Sequence, residues 1–94
     1  MVFEVYHVEG FDIDMRSFSR DITIDVNENG YNGRLVYEGL TVQSHEHPTV
    51  EEVLSDVTKR LHKKGFTDLR SRLNFREDRY LAEREAWVYY KKAS

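Results

Sequence analysis

The chain has 94 residues, of which 33% are charged and 13% aromatic, with no cysteine and a formal net charge of −3. That length holds one domain, 1–94, whose modest core gains from oligomerising, and its aromatic content argues against disorder. The lack of cysteine excludes a disulfide framework, a thiolate zinc site and a cysteine nucleophile.

No apolar run is long enough to cross a bilayer. The opening "MVFEVYHVEG" has neither the basic start nor the apolar centre of a signal peptide. The expected setting is the cytoplasm, with no membrane partner. Charge is unevenly spread. Residues 1–57 hold twelve acids and three bases, a balance of −9, and residues 58–94 hold eleven bases and five acids, a balance of +6. Either the two halves mix their charges in space, or the second half presents a basic face to an anionic partner.

Taken in chain order, "VFEVYHV" has the composition of a strand. "GFDIDMRSF" reads as an irregular connection. "RDITIDV" alternates, with Ile22, Ile24 and Val26 on one side and Asp21, Thr23 and Asp25 on the other, the pattern of a half-buried strand. "NENG" is a turn, "YNGRLVYEG" its return strand with Gly33 as a candidate bulge, and "LTVQSHE" a further strand.

At Thr49 the period changes. Val50, Val53, Leu54, Val57 and Leu61 follow helical spacing, and Thr49-x-x-Glu52 is a capping box. Acids fill the first turn and bases the last, as the helix dipole favours, and Gly65 closes the element. "LRSRLNFR" then alternates again, placing Leu69, Ser71, Leu73 and Phe75 inward and Arg70, Arg72, Asn74 and Arg76 outward. "EDRYLAE" is read as a turn region. "REAWVYYK" follows as a last strand, with Ala86, Val88 and Tyr90 on one side and Trp87, Tyr89 and Lys91 on the other. A helix over 79–90 is the competing reading, because "LAEREA" is helix-prone.

The fold expected is α+β. An antiparallel sheet of four to five strands, in chain order β-β-β-β-α-β-β or one strand fewer, packs on one long helix, about residues 50–64. Val53, Leu54, Val57 and Leu61 should meet Ile22, Ile24, Leu35, Leu73 and Val88 in the core. One helix cannot cover such a sheet, so its far face is left for water, a second subunit or a ligand.

Candidate chemistry is sparse. His45 and His47 share one side of an extended segment and could chelate a metal if further ligands converged, but no diagnostic spacing supplies them. The plainer reading is a polar strand end leading into a capped helix. No acid–base pair, nucleophile motif or phosphate loop stands out. The chain is therefore expected to be non-catalytic and to need no cofactor. The surface of interest is Arg70, Arg72, Arg76, Trp87, Tyr89 and Lys91, on the outward side of the last two strands. Trp, Tyr and Arg are the residues most enriched at interface hot spots. Arginine beside open aromatic rings also suits nucleic acid. A protein partner or a second copy of the chain is the first reading, and nucleic acid the alternative.

The run "ITIDVNENGYNGRLVYEGLTVQSHEHPTVEEVLSDVTKRL" resembles the HicB-like antitoxin family. It has a strand, an Asn/Glu/Gly turn, a strand opening on Gly30-Tyr31, Gly39 before a third strand, and Thr49 with Glu51 and Glu52 opening an amphipathic helix. The resemblance covers about 40 residues. It implies a small three-stranded sheet on one helix, a dimer with a protein partner, and no catalysis.

Overall fold

The computed structural model describes residues 2–81 and 84–91. Strand β1 (Val2–Phe11) turns into β2 (Ser17–Asn27), which returns as β3 (Gly30–Tyr37) and β4 (Leu40–Gln43). Helix α1 (Val50–Lys63) then leads into β5 (Thr67–Arg76) and two short strands, β6 (Arg79–Tyr80) and β7 (Val88–Tyr89). Every pairing is antiparallel, in the order β4-β3-β2-β1-β5-β6, and β7 joins β5 at Arg70 and Ser71, beyond the stretch that β6 uses.

The α+β class is as expected, but the proportions are not. The sheet has seven strands among the described residues instead of four to five. The helix is short, 14 residues, or about 21 Å at 1.5 Å per residue. The six strands of the main path span about 24 Å at 4.8 Å each. β6 is a two-residue piece inside the segment read as a turn, too short to carry a period, and the last strand read over "REAWVYYK" is reduced to the two residues of β7.

Local chemistry sets the ends of α1. Thr49 has extended dihedrals, and its hydroxyl accepts the Glu52 amide at 3.2 Å. The Glu52 side chain turns towards His47 (3.6 Å). At the far end Lys64 is the cap. Gly65, at φ +97°, donates its amide to His62 O and Phe66 donates to Leu61 O, a Schellman closure that needs the left-handed residue glycine supplies.

The core lies between α1 and the sheet. Val53, Leu54, Val57 and Leu61 meet Ile22, Ile24 and Leu35, as the periodicity predicts, and are joined by Val8, Phe18, Val42, Phe66 and Leu69, while Leu73 is buried but lies outside this cluster. Val88 does not belong to this core: it is 54% exposed, on a two-residue strand at the sheet margin. Gly33 is not a bulge, because the β2–β3 register runs unbroken through it. Its lack of a side chain lets the helix approach, since a Cβ there would lie 2.6 Å from Val53 Cγ1.

Phe18 is buried although its segment reads as irregular. The cause is Asp12, 1% exposed in the β1–β2 turn. One of its oxygens accepts the amides of Asp14 and Arg16, and the other accepts Arg16 Nε and the Tyr37 hydroxyl. This knot closes a tight turn and lets β2 begin at Ser17. The Tyr37 hydrogen bond, with the turn amides and Arg16, holds the Asp12 carboxyl below its usual range.

Candidate interaction surface

Helix α1 covers one side of the sheet. On β1, Val8 is buried on that side, so the alternating neighbours His7 and Glu9 point to the other. On β2 the buried Ile22 and Ile24 leave Ser19, Asp21 and Thr23 on the open side, and on β5 the buried Leu69, Ser71 and Leu73 leave Arg70 and Arg72 there. Register then fixes neighbours: His7 sits opposite Asp21 on one flank and Arg72 on the other, and Glu9 opposite Ser19 and Arg70.

Trp87 closes over this row from the chain end. Its ring centroid lies 4.1 Å from the Arg70 guanidinium carbon, 4.4 Å from that of Arg72 and 6.2 Å from the His7 ring. Guanidinium groups at such distances are held by the indole quadrupole. The indole is half-buried. Arg70 also donates to Glu9 Oε1, from Nη2 at 2.6 Å and Nε at 3.2 Å. That hydrogen bond is the main cause of a lowered Glu9 pKa; burial opposes it. Arg72 Nε is buried without a hydrogen bond among the described residues. Tyr89, opposite Arg70, is 68% exposed, and Lys91 follows it at the rim of a cleft of about 870 Å³ that Glu9, Ser19 and Arg70 also line.

His7 is the centre that sequence reading misses. Its Nδ1 lies 3.1 Å from Asp21 Oδ1, and its Nε2 lies 2.9 Å from Ser19 Oγ and 3.3 Å from Glu9 Oε2. Serine, imidazole and carboxylate thus follow one another as in nucleophilic catalysis. Two features point to cross-strand cohesion instead. Glu9 competes with Ser19 for the same ring nitrogen, and Ser19 and Asp21 stand exposed to solvent. The alternation of β1 and β2 signals which side each residue takes. The register that brings His7 to Asp21 is not readable from either strand alone.

Arg76 leaves the expected surface. Val5 pairs with Phe75 but Tyr6 pairs with Leu73, so Asn74 is an extra residue, and this bulge reverses the phase beyond it. Phe75 passes to the open side and meets Tyr80 at 5.4 Å. Arg76 passes to the helix side, where its Nε donates to Glu4 Oε2 at 2.9 Å. Glu4 is 3% exposed and also accepts the Tyr6 hydroxyl. Burial and this neighbouring carboxylate push the Tyr6 hydroxyl well above its usual range.

His45 and His47 belong to a different cluster. His47 Nε2 lies 2.8 Å from Asp56 Oδ2, and that oxygen also accepts the His45 main-chain amide. Arg60 donates to the other oxygen at 2.6 Å. Burial raises the Asp56 pKa, but these three hydrogen bonds outweigh it and bring it down to about 2. Among the described residues no group of three or more His, Asp or Glu side chains is placed to hold a metal ion. No described helix is long and apolar enough to cross a membrane.

Compared with protein-family models, curated proteins and solved structures, the chain matches none.

Proposed function

We propose that this protein is a small non-catalytic interaction module that self-associates through the open side of its sheet, with Trp87 at the centre of the contact. The observation that carries this reading is the indole held over Arg70 and Arg72 on a sheet side that no helix covers among the described residues. A large aromatic ring fixed beside arginines on a rigid sheet is hot-spot chemistry. Charge supports a second copy as the partner. Arg34 and Arg72 form no ion pair among the described residues, while the Asp21 side chain on β2, 3.1 Å from His7, is still 52% exposed. A two-fold arrangement can set the acids of β2 in one copy against the arginines of the other. The resemblance to HicB-like proteins, which implies a dimer with a protein partner, agrees with this reading.

Nucleic acid is the weaker alternative on this surface. The indole already faces two guanidiniums, and Glu9 and Asp21 beside it repel phosphate. Sedimentation equilibrium over a concentration series tests the proposal. The wild type should self-associate, and Trp87→Ala should weaken association by about tenfold or more. A wild type that stays monomeric throughout, or a mutant that associates equally well, overturns it.

A further inference from the structure

The bases that crowd the second half of the sequence do not all reach the open side of the sheet. Lys59 and Lys63 on the exposed side of α1, with Lys64 at its C-cap, lie beside β4, the outer strand of the sheet. None of the three forms an ion pair among the described residues.

The ladder shows which backbone groups of β4 are already used. The amide of Ser44 donates to Gly33 O at 2.9 Å, and Leu35 pairs with Val42 and Tyr37 with Leu40. Leu40 and Val42 therefore turn their N–H and C=O groups to β3, as Ser44 turns its N–H, while the Gly33 amide donates to Ser44 Oγ at 2.9 Å. By antiparallel alternation those of Thr41 and Gln43 point to the outer edge, where no strand pairs with them among the described residues. The next outward amide, that of His45, donates to Asp56 Oδ2 at 2.9 Å, so a carboxylate is already one partner of this edge. A cleft of about 380 Å³ separates β4 from the lysines. Its one carboxylate, Asp56, is occupied by Arg60 and His47.

We propose that β4 and the lysine row of α1 form a docking edge for an acidic peptide in extended conformation. The peptide adds to β4 as a further strand, pairing with the backbone of Thr41 and Gln43 while its carboxylates meet Lys59, Lys63 and Lys64. Strand addition draws affinity from main-chain hydrogen bonds and specificity from alternate side chains. A phosphate backbone supplies no donors to the Thr41 and Gln43 carbonyls, so the edge fits a peptide better than a nucleic acid. The lysines also discourage edge-to-edge aggregation, and that guarding role on its own requires no ligand. The inference is independent of self-association through Trp87.

The test is an amide NMR titration with a synthetic peptide of alternating Glu and Val. The Thr41 and Gln43 amides should shift and gain protection from exchange. The Lys59→Glu/Lys63→Glu variant should bind about tenfold more weakly or worse with an unchanged melt, and Trp87→Ala should bind normally. A peptide with proline at alternate positions should not bind, because it cannot donate to the edge. Three results overturn the proposal. No binding at about millimolar peptide, the weak end of specific recognition, leaves the lysines as guards. Binding that survives the prolines reduces the site to charge attraction. Oligodeoxythymidylate displacing the peptide from the same amides assigns the edge to nucleic acid.

Discussion

The arginines and the lysines of this chain do different work, and they do it in different places. Arg16 reaches Asp12 and Glu38, Arg60 reaches Asp56, Arg70 reaches Glu9 and Arg76 reaches Glu4, each at 3.0 Å or less. Two of those carboxylates, Asp12 and Glu4, are all but closed to solvent. Lys59, Lys63, Lys64 and Lys91 stand exposed, with no ion pair among the described residues. The planar guanidinium is the better fixed partner for a carboxylate, and the ammonium on its flexible stem is the better charge to leave in water. The acidic first half and the basic second half thus divide: Arg60, Arg70 and Arg76 tie the halves together, and the four lysines form no ion pair among the described residues.

The sharpest way to break this contrast is Arg76→Met. It strands the Glu4 carboxylate beneath the sheet margin with, among the described residues, only the Tyr6 hydroxyl, and unpaired buried charge is costly. The melting temperature should fall by about 5–10 °C, more than for any single lysine substitution. A variant that melts with the wild type would show that the Glu4 contact is incidental.

Acid titration separates the two groups again. Asp56, Asp12 and Glu9 all have depressed carboxyl pKa values, and all three face arginine. A carboxyl whose folded pKa lies below its unfolded value stabilises the fold above the unfolded pKa, and that contribution is lost as pH falls through the folded one. For Asp56 the window runs from about 4 down to about 2. Asp56→Asn should lower stability at neutral pH and flatten the melting curve's pH dependence across that window. An unchanged acid limb would mean that Asp56 forms no net favourable interactions with Arg60, His47 and the His45 amide.

The residue pattern alone carries much of this arrangement. The strand phases around Ile22 and Leu69 follow from alternation, Trp87 takes the side the same pattern gives it although it lies just outside β7, and α1 follows from its caps and its 3.6-residue period. That is why Arg70, Arg72 and Trp87 are found together where the pattern puts them. Arg76 departs from the pattern because a bulge is a property of two strands: nothing in "LRSRLNFR" alone says that Asn74 has no partner on β1. The Asp12 knot is hidden for a similar reason, since its key ligand, Tyr37, lies 25 residues away. The meeting of His7, Ser19 and Asp21 depends on the β1–β2 register. Local periodicity reads sides well; it does not read partners.

Trp87→Ala bridges the two groups, because it removes the ring that Arg70 and Arg72 share without touching a lysine. The ring is half-buried, on the side away from the core. The stability cost should be about 1 kcal/mol, against about 3–5 for a core tryptophan. Denaturant melts measure it. Blue-shifted, quencher-resistant fluorescence with a much larger loss would place the indole in the core and remove the aromatic surface.

The smallest effect is expected at Lys63. Its side chain is exposed on α1 with no carboxylate within 4.0 Å among the described residues, so Lys63→Ala deletes no contact that folding creates. Two small contributions oppose each other. The ammonium interacts favourably with the helix C-terminus, but it is repelled by Lys59, four residues back on the same ridge. Alanine adds a slightly better helix propensity. The net change in stability should stay within about 0.5 kcal/mol. Added salt should leave it there, because screening weakens the attraction and the repulsion alike. Chemical denaturation at low and high ionic strength measures both quantities. A loss above about 1 kcal/mol that salt abolishes would place a carboxylate partner on Lys63. The lysines would then be structural as the arginines are, and the distinction between the two groups would fail at a residue of the proposed docking edge.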